Sequence, residues 1–368
     1  MALIPGKLIC RQPIIDRNRE LAFYLLTLAE EDYDTVTPFV IRLANIEIPQ
    51  SVYFLPIRWV QDAVLLKKLA RDMILVTPDG TMSDPIVEEA RESGFRIAVS
   101  IEEGDARKAG GDFAIAPWGA PVAPSPDTIF IGLQSTSDES QAKATPAMYF
   151  SGHYLMESTP IAGGKRMNPS HALILELMGA VQQESEPKTI EAMFKRDVTL
   201  SFKLLRYINS PWFGLASRVE SVRHALSIIG YQQLLKWLTL LAVTAGQEAS
   251  PILTTSAMIR ARVMELIGTK LLDKREADNL FVTGMLSLLD RLMGVPLEEI
   301  LQYVNLPETV TDALIGNESR YSRYLQLALA LEGAPLADPD AYTDMDTKFI
   351  NNAHLEAIEW ATQAGKIA

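Results

Sequence analysis

Three carboxylates, Glu102, Glu103 and Asp105, stand directly after the apolar segment 95–101, which reads FRIAVSI. Carboxylate oxygens at the end of a buried strand are ligands that hard divalent cations prefer, and a cation held there can activate water against a phosphodiester. Such a centre needs carboxylates from several strands that converge on one point. The alternative is a charged turn that solvates the strand end, and the remaining strands decide between the two.

The other reactive side chains lack the partners that catalysis requires. Cys10 is the only cysteine in the sequence, which excludes an intramolecular disulfide, and it is interpreted as a structural thiol. The sequence has no His-Asp dipeptide and no glycine-rich phosphate loop. The four histidines lie on separate segments without metal-ligand spacing: His153, His171, His224 and His354. No metal and no cofactor is predicted.

The overall charge argues against a nucleic-acid partner. The 368 residues include 34 basic and 46 acidic side chains, and the resulting net charge of −12 repels phosphate backbones. The apolar segment 234–246 is shorter than the roughly 20 residues that cross a bilayer, so a buried helix is expected there. A single cysteine and the absence of a targeting pattern predict a cytoplasmic protein without a membrane partner.

Two parts of the sequence follow different periodicities. Up to about residue 156, short β-rich segments alternate with helical ones, which predicts parallel β/α units. Residues 157–170, ESTPIAGGKRMNPS, read as a linker because they combine prolines, a Gly-Gly pair and polar residues. Residues 171–368 contain successive amphipathic helices, with Asp197 as one N-cap and Gly230 as one helix end. The predicted fold class is therefore α/β followed by all-α.

The helical part resembles a known signalling domain. The segment 200–230, LSFKLLRYINSPWFGLASRVESVRHALSIIG, and the later segment LFVTGMLSLLDRLMGVPLEEIL closely resemble the HDOD domain, the HD-related output domain of bacterial signalling proteins. The missing His-Asp pair is consistent with this domain, which is related in fold to metal-dependent phosphohydrolases. The resemblance implies a helical bundle over residues 171–368.

The first 156 residues resemble a shortened EAL domain, the TIM-barrel fold of cyclic di-GMP phosphodiesterases. RQPIIDRNRELAFYLL is similar to the first hairpin of that family, GFRIAVSI to its central strand and YFSGHYL to its last strand. A usual (β/α)₈ barrel has about 250 residues, so some helices should be missing, with the loss of a strand as a further option. The whole chain is thus similar to EAL–HDOD fusion proteins.

The resemblance also implies where metal ligands would stand, and those positions carry other residues. The signature glutamate falls on Tyr24 and a metal-binding asparagine on Leu55, and the later glutamate strand offers Gly132 and Ser135. The paired aspartates and the lysine and aspartate of the next strand fall on Ser100, Ile101, Ile115 and Pro117. The carboxylates after segment 95–101 are therefore interpreted as a solvated turn, and a register slip that brings one inward stays the alternative.

What remains is a binding function. Aromatic residues on the turn NSPWFG could anchor a partner or could lock the turn onto the bundle, and nearby cations could meet an acidic surface or only solvate a helix. The sequence predicts a non-catalytic signalling adaptor that contacts other signalling proteins, with a homodimer as one possibility. The alternatives are a residual cyclic di-GMP phosphodiesterase and a non-hydrolysing cyclic dinucleotide sensor. The candidate contact residues are Lys203, Arg206, Asn209, Ser210, Trp212, Phe213 and Gly214.

Overall fold

The chain forms two compact units in a computed structural model. The first unit combines residues 1–157 with residues 329–359, and the second combines residues 158–328 with residues 360–368. The structure describes residues 7–28, 33–43, 52–60, 63–69, 72–155, 169–209, 219–244, 250–334, 336, 342 and 344–364.

The first unit is built around a closed barrel of eight strands. Its wall runs in the order β1-β10-β9-β7-β5-β4-β3-β2, and β6 and β8 form a separate two-stranded sheet. Strand β1 is antiparallel to both of its neighbours, and all other pairs in the wall are parallel. The strands are β1 Cys10–Asp16, β2 Leu21–Thr27, β3 Val52–Pro56, β4 Ile74–Pro78, β5 Arg96–Ser100, β6 Gly104–Asp105, β7 Phe113–Pro117, β8 Val122–Ala123, β9 Thr128–Ile131 and β10 Tyr149–Phe150.

The barrel is short because several crossovers lack a full helix. The helices between strands are α1 Tyr33–Leu43, α2 Ala63–Leu66, α3 Pro85–Glu92 and α4 Thr136–Lys143. Within the continuously described residues 72–155, the connections from β5 to β7 and from β7 to β9 contain no α-helix. The predicted shortened barrel is confirmed. All eight wall strands are kept, so the shortening comes from helices.

An aromatic layer fills the lower part of the barrel. Phe23 packs edge-to-face against Phe54, Phe113 and Tyr149, with ring centroids 5.1, 5.6 and 5.2 Å apart. Arg96 lies with its guanidinium 5.6 Å from the Phe113 ring. These rings come from strands on opposite sides of the wall, so they pack together across the barrel interior.

Residues 329–359 complete the barrel at its first strand. Strand β1 pairs with β10 only near its end, and its earlier residues bond to the returning chain. The Arg11 amide donates to the Leu331 carbonyl at 2.8 Å, and the Ile9 amide donates to Asn351 Oδ1 at 2.9 Å. The Nδ1 atom of His354 donates to the Ile9 carbonyl at 3.1 Å. Backbone groups that β10 does not reach are thus paired by residues more than 300 positions later.

This return differs from the expectation that residues 171–368 form one helical domain. The helix that carries Asn351 and His354, α15 Thr347–Ala364, buries Ile350, Leu355 and Ile358. Residues up to 359 group with the barrel unit. An amphipathic helix reveals that one of its faces is covered but not which core covers it, so the sequence could not assign this helix.

The second unit is a bundle of helices. Asp197 caps α7 as predicted, because its carboxylate accepts from the amides of Thr199 and Leu200 at 2.8 and 3.1 Å. Gly230 interrupts α8 with a φ of 72°, a conformation that glycine adopts without strain. The helices before α15 are α5 Pro169–Gln182, α6 Pro187–Phe194, α7 Val198–Ile208, α8 Val222–Thr244, α9 Pro251–Leu271, α10 Lys274–Leu286, α11 Leu289–Met293, α12 Leu297–Leu301, α13 Glu308–Ile315 and α14 Ser322–Ala330.

Helix α8 is the central helix of this bundle. Every residue from Leu234 to Val243 is buried. By length and composition, α8 is the one helix among the described residues that would pass as a membrane span, and 56% of its apolar window is buried inside the protein. Burial of this kind is typical of a core helix, as the sequence predicted.

Helices α9 and α10 touch through a glycine, which leads to a stability prediction. A Cβ at Gly284 would lie 2.6 Å from the Ala261 Cα and its backbone nitrogen, so the two helices would have to separate. We expect Gly284→Ala to lower the free energy of unfolding by about 1–3 kcal/mol. Chemical denaturation measures this change. The control Ala192→Leu adds bulk on an exposed position of α6 and should stay within about 0.5 kcal/mol of the parent; equal losses in both variants would contradict the close contact.

Candidate functional site

A cavity of about 890 Å³ opens above the barrel core, at the carboxyl ends of the parallel strands. Barrel enzymes place their active sites at this end, because loops from several strands converge there. The cavity is lined by Leu25, Leu26, Thr27, Leu28, Pro56, Arg58, Val76, Thr77, Pro78, Asp79, Ser100, Glu102, Glu103, Ile115, Pro121 and Ile131.

Toward the mouth, the inward-facing positions of the described parallel strands carry no carboxylate. Leu25, Phe54 and Ile115 belong to the interior core, and side chains alternate along a strand, so every second residue from these positions faces inward. Continuing this alternation toward the opening reaches hydroxyl, proline and aliphatic side chains, namely Thr27, Pro56, Val76, Pro78, Ser100, Pro117 and Ile131. Such a wall offers no anionic oxygen with which to hold a divalent cation.

The structure divides the six predicted ligand positions into two groups. Ser100 and Ile115 line the cavity. Tyr24 and Leu55 alternate with interior residues and therefore lie on the outer face of the wall, where Tyr24 stacks on Tyr53 with ring centroids 5.5 Å apart. Neither side chain therefore faces the mouth in this structure.

The remaining aligned positions, Ile101, Pro117, Gly132 and Ser135, lie in the strand ends and connections of the barrel. Ile101 is buried and donates its amide to the Ile115 carbonyl at 2.8 Å, and Pro117 ends its strand at an exposed position. Gly132 has a φ of 78°. The Ser135 hydroxyl caps α4 by accepting from the Asp138 amide at 3.1 Å.

The three carboxylates after β5 do not converge. Glu102 and Glu103 are exposed at the rim of the cavity. Both Asp105 oxygens accept from the Arg107 guanidinium, at 3.0 and 3.1 Å, and this hydrogen bonding lowers the pKa of Asp105. In the part of the chain that the structure describes, no three His, Cys, Asp or Glu side chains are grouped so that they could hold a metal ion. Glu102 and Glu103 thus face solvent, and Asp105 is occupied by Arg107.

Four polar cavity residues were missed by the sequence reasoning. Arg58, Thr27, Thr77 and Asp79 all line the mouth. Each stands within a few residues of the carboxyl end of a wall strand, and that position is the signal that could have identified them. Arg58 is the one basic residue among the described residues that line the cavity.

The cysteine and the buried histidine are structural. The Cys10 thiol donates to the Ala330 carbonyl at 3.2 Å, and burial raises its pKa to about 11, so a thiolate nucleophile is disfavoured. Burial, together with the charge of Arg11, lowers the pKa of His354 to about 3. His224 is exposed and His171 is half-buried.

A second candidate site lies on α7 in the helical unit. Leu200, Leu204 and Ile208 are buried and fix one side of the helix on the bundle. On the other side Val198 is 79% exposed and Phe202 is 65% exposed. Of the two cations that were expected to solvate this helix, Arg206 is exposed and Lys203 is half-buried. Large apolar side chains at this exposure are unusual when they stand side by side on one helix.

Asn209 closes the end of α7 and has its amide fully engaged. Its Nδ2 donates to the carbonyls of Leu205 and Val219, each at 2.8 Å, and its Oδ1 accepts from the Val219 amide at 2.8 Å. Asn209 thus ties the end of α7 to Val219. The other predicted contact residues, Ser210, Trp212, Phe213 and Gly214, lie outside the described residues.

The helical unit matches a known family. Residues 168–302 fit the family model of the HDOD domain. The chain therefore contains an HDOD domain, as the resemblance of segment 200–230 predicted.

Two curated proteins are similar to more than half of the chain. The uncharacterized protein YuxH of Bacillus subtilis is 24% identical over 62% of this chain and 57% of its own length. The cyclic di-GMP phosphodiesterase CdgJ of Vibrio cholerae is 25% identical over 63% of this chain and 55% of its own length. The aligned part thus spans little more than half of these relatives.

Two solved structures match parts of the chain with low TM-scores. An HDOD domain protein of unknown function from Geobacter sulfurreducens matches 55% of this chain and 94% of its own, with 14% identity and a TM-score of 0.38. An EAL domain protein from Listeria monocytogenes matches 41% of this chain and 87% of its own, with 11% identity and a TM-score of 0.28.

Proposed function

We propose that this chain is a cytoplasmic signal-transduction adaptor that turns over no substrate and acts through protein–protein contacts of its HDOD domain and barrel. The proposal rests chiefly on one observation: the strand-end positions that face the barrel mouth carry proline, hydroxyl and aliphatic side chains. Phosphodiester hydrolysis at such a mouth would require cations to activate water and neutralise phosphate. Other signalling proteins are the proposed partners.

The helical unit supports the same proposal from a different direction. Helix α7 is held on the bundle by buried Leu200, Leu204 and Ile208, while its other side exposes apolar side chains beside cations. A helix whose buried face already holds it on a bundle needs no exposed phenylalanine for stability. Such a residue is typical of a contact surface.

Metal analysis with a turnover assay tests the non-catalytic part. After equilibration with Mn²⁺ or Mg²⁺ and removal of free metal, we expect less than stoichiometric metal in the full chain and no conversion of cyclic di-GMP to its linear dinucleotide. An active EAL phosphodiesterase under the same conditions is the positive control. Stoichiometric metal together with turnover would overturn the proposal and support the phosphodiesterase that the Vibrio cholerae relative suggests.

The size of the mouth cavity favours a second candidate function, a sensor that binds a cyclic dinucleotide without cleaving it. About 890 Å³ lies within the range of small-molecule sites, and Arg58 offers a guanidinium to a phosphate. A thermal-shift titration with cyclic di-GMP tests it, because a ligand at 100 times its Kd stabilises the folded state by about 2.7 kcal/mol. A shift that Arg58→Ala abolishes would establish the sensor; an unchanged melting temperature would exclude it.

A further inference from the structure

The apolar strip on α7 consists of Val198, Phe202 and Leu205, and we call it, together with Lys203 and Arg206, the α7 face. At 100° per residue, the three apolar residues fall within a narrow sector of the helix, and the two cations follow on one flank. Val198 and Phe202 are 79% and 65% exposed, and Leu205 is half-buried. The face thus pairs an apolar strip with a parallel cationic strip.

The cations of this face are not neutralised within the described part of the chain. The neighbouring Lys195 and Arg223 both pair with Glu191, at 3.0 and 2.6 Å. Lys203 and Arg206 have no carboxylate within 4 Å among the described residues. Their charges are therefore available to an outside group.

The local charge runs against the charge of the whole protein. Residues 187–209 contain five basic and two acidic side chains, whereas the complete sequence carries a net charge of −12. A partner with carboxylates would be attracted to this face and repelled by the remainder of the surface, so charge complementarity selects both the partner and its docking position.

We infer that the α7 face docks an amphipathic helix of a partner protein that sets bulky apolar side chains beside a row of carboxylates. This inference rests on the proposed adaptor function and names its partner class. Apolar anchors at i, i+3, i+4 and i+7 would cover the strip, and Phe202 would be the central contact. Carboxylates along one flank would reach Lys203 and Arg206.

Two other occupants fit the observations less well. A symmetric contact between two copies would bring the same cations of both chains together, and like charges across an interface are repulsive. An anionic membrane would attract these few cations, but the net charge of −12 opposes approach of the whole chain. An acidic helix meets neither obstacle.

The test uses the full chain and designed peptides. The probe is an 18-residue helical peptide with leucine on one strip and glutamate along the adjacent flank, labelled for fluorescence anisotropy. One comparison peptide replaces glutamate by lysine, and another replaces leucine by serine. We expect the glutamate–leucine peptide to bind at least tenfold more tightly than either, with an affinity that falls as salt rises.

Variants of the face decide the assignment. Phe202→Ser should weaken binding at least tenfold, and the double variant Lys203→Glu with Arg206→Glu should reverse the preference toward the lysine peptide. The matched controls are Ile315→Ser, a 40% exposed apolar residue on α13, and Lys274→Glu at the start of α10, which should leave affinity unchanged. Circular dichroism confirms that each variant is folded.

Each other outcome overturns the inference. An unchanged charge preference in the double variant would remove the α7 face as the docking site, and so would absence of binding. If the chain self-associates and Phe202→Ser abolishes that association, the face belongs to a contact with a second copy. If the chain binds phosphatidylserine vesicles and Phe202→Ser abolishes that binding, the face belongs to a membrane contact. Turnover of cyclic di-GMP would defeat the adaptor proposal while leaving the peptide preference intact, so the two failures are distinguishable.

Discussion

Lys236→Met is expected to lower the free energy of unfolding of the helical unit by about 3–5 kcal/mol. Lys236 lies in the buried part of α8, and its ammonium pairs with Glu265 of α9 at 2.5 Å and with Asp278 of α10. Its side chain is 11% exposed and that of Asp278 is 7% exposed. Removing the ammonium leaves a buried carboxylate without its cation, and this uncompensated charge is what costs stability. Urea denaturation followed by tryptophan fluorescence measures the loss.

A paired replacement separates the charge effect from packing. Lys236→Met combined with Asp278→Leu removes both charges, and Glu265 keeps Arg262 at 2.7 Å, so most of the stability should return. Lys203→Met removes a cation that has no such carboxylates and should change little. If the double variant is as unstable as the single one, the loss comes from altered packing and the prediction fails.

The barrel unit is expected to lose about 2 kcal/mol of stability between pH 7 and pH 5 through His354. The folded protein holds the pKa of this buried ring at about 3, whereas an unfolded histidine titrates near 6.5. Below about pH 6.5 the histidine of the unfolded chain binds a proton, whereas the buried ring of the folded chain stays neutral. Stability is therefore lost as the pH falls from about 6.5 toward 3. Hydrogen exchange of the Ile9 and Arg11 amides, corrected for the intrinsic rate, reports this opening locally.

His354→Gln supplies the control, because it keeps a donor for the Ile9 carbonyl without a titrating ring. After correction for the intrinsic rate, exchange of the Ile9 and Arg11 amides in this variant should be nearly independent of pH between pH 5 and pH 7. Glu139 does not affect stability between pH 5 and pH 7. Burial would raise its pKa, but hydrogen bonds from Arg19 and Lys143 hold the pKa at about 2. The stability that this carboxylate contributes is therefore lost only below about pH 4.5. The same pH dependence in His354→Gln would refute the assignment to His354.

The positions of the strands could be predicted from the sequence, but the direction of their side chains could not. The apolar segments predicted each wall strand, because β-branched and aromatic runs between turn residues are typical of strands. Tyr24 and Leu55 nevertheless point outward. Parallel strands are buried on both faces, so the pattern of apolar residues is nearly continuous and does not indicate which face is inside.

The candidate sites show the same limit. Lys203 and Arg206 were recognised because charges stand out against a helical apolar period. Val198 and Phe202 were not, because an exposed phenylalanine has the same letter in the sequence as a buried one, and only the orientation of α7 on the bundle distinguishes them. The capping role of Asp197 was predictable, since it depends on residues two and three positions away.

The hydrogen bond between Ile9 and His354 also sets an order of events during synthesis. These residues are 345 positions apart, so at about 5–20 residues per second the ribosome needs roughly 20 to 70 s between them. Over that interval the first strand has left the exit tunnel with its outer amides unsatisfied, while the intervening HDOD domain emerges and can already fold. The hydrogen bonds that residues 329–359 supply to the first strand therefore form only after the HDOD domain has been synthesised.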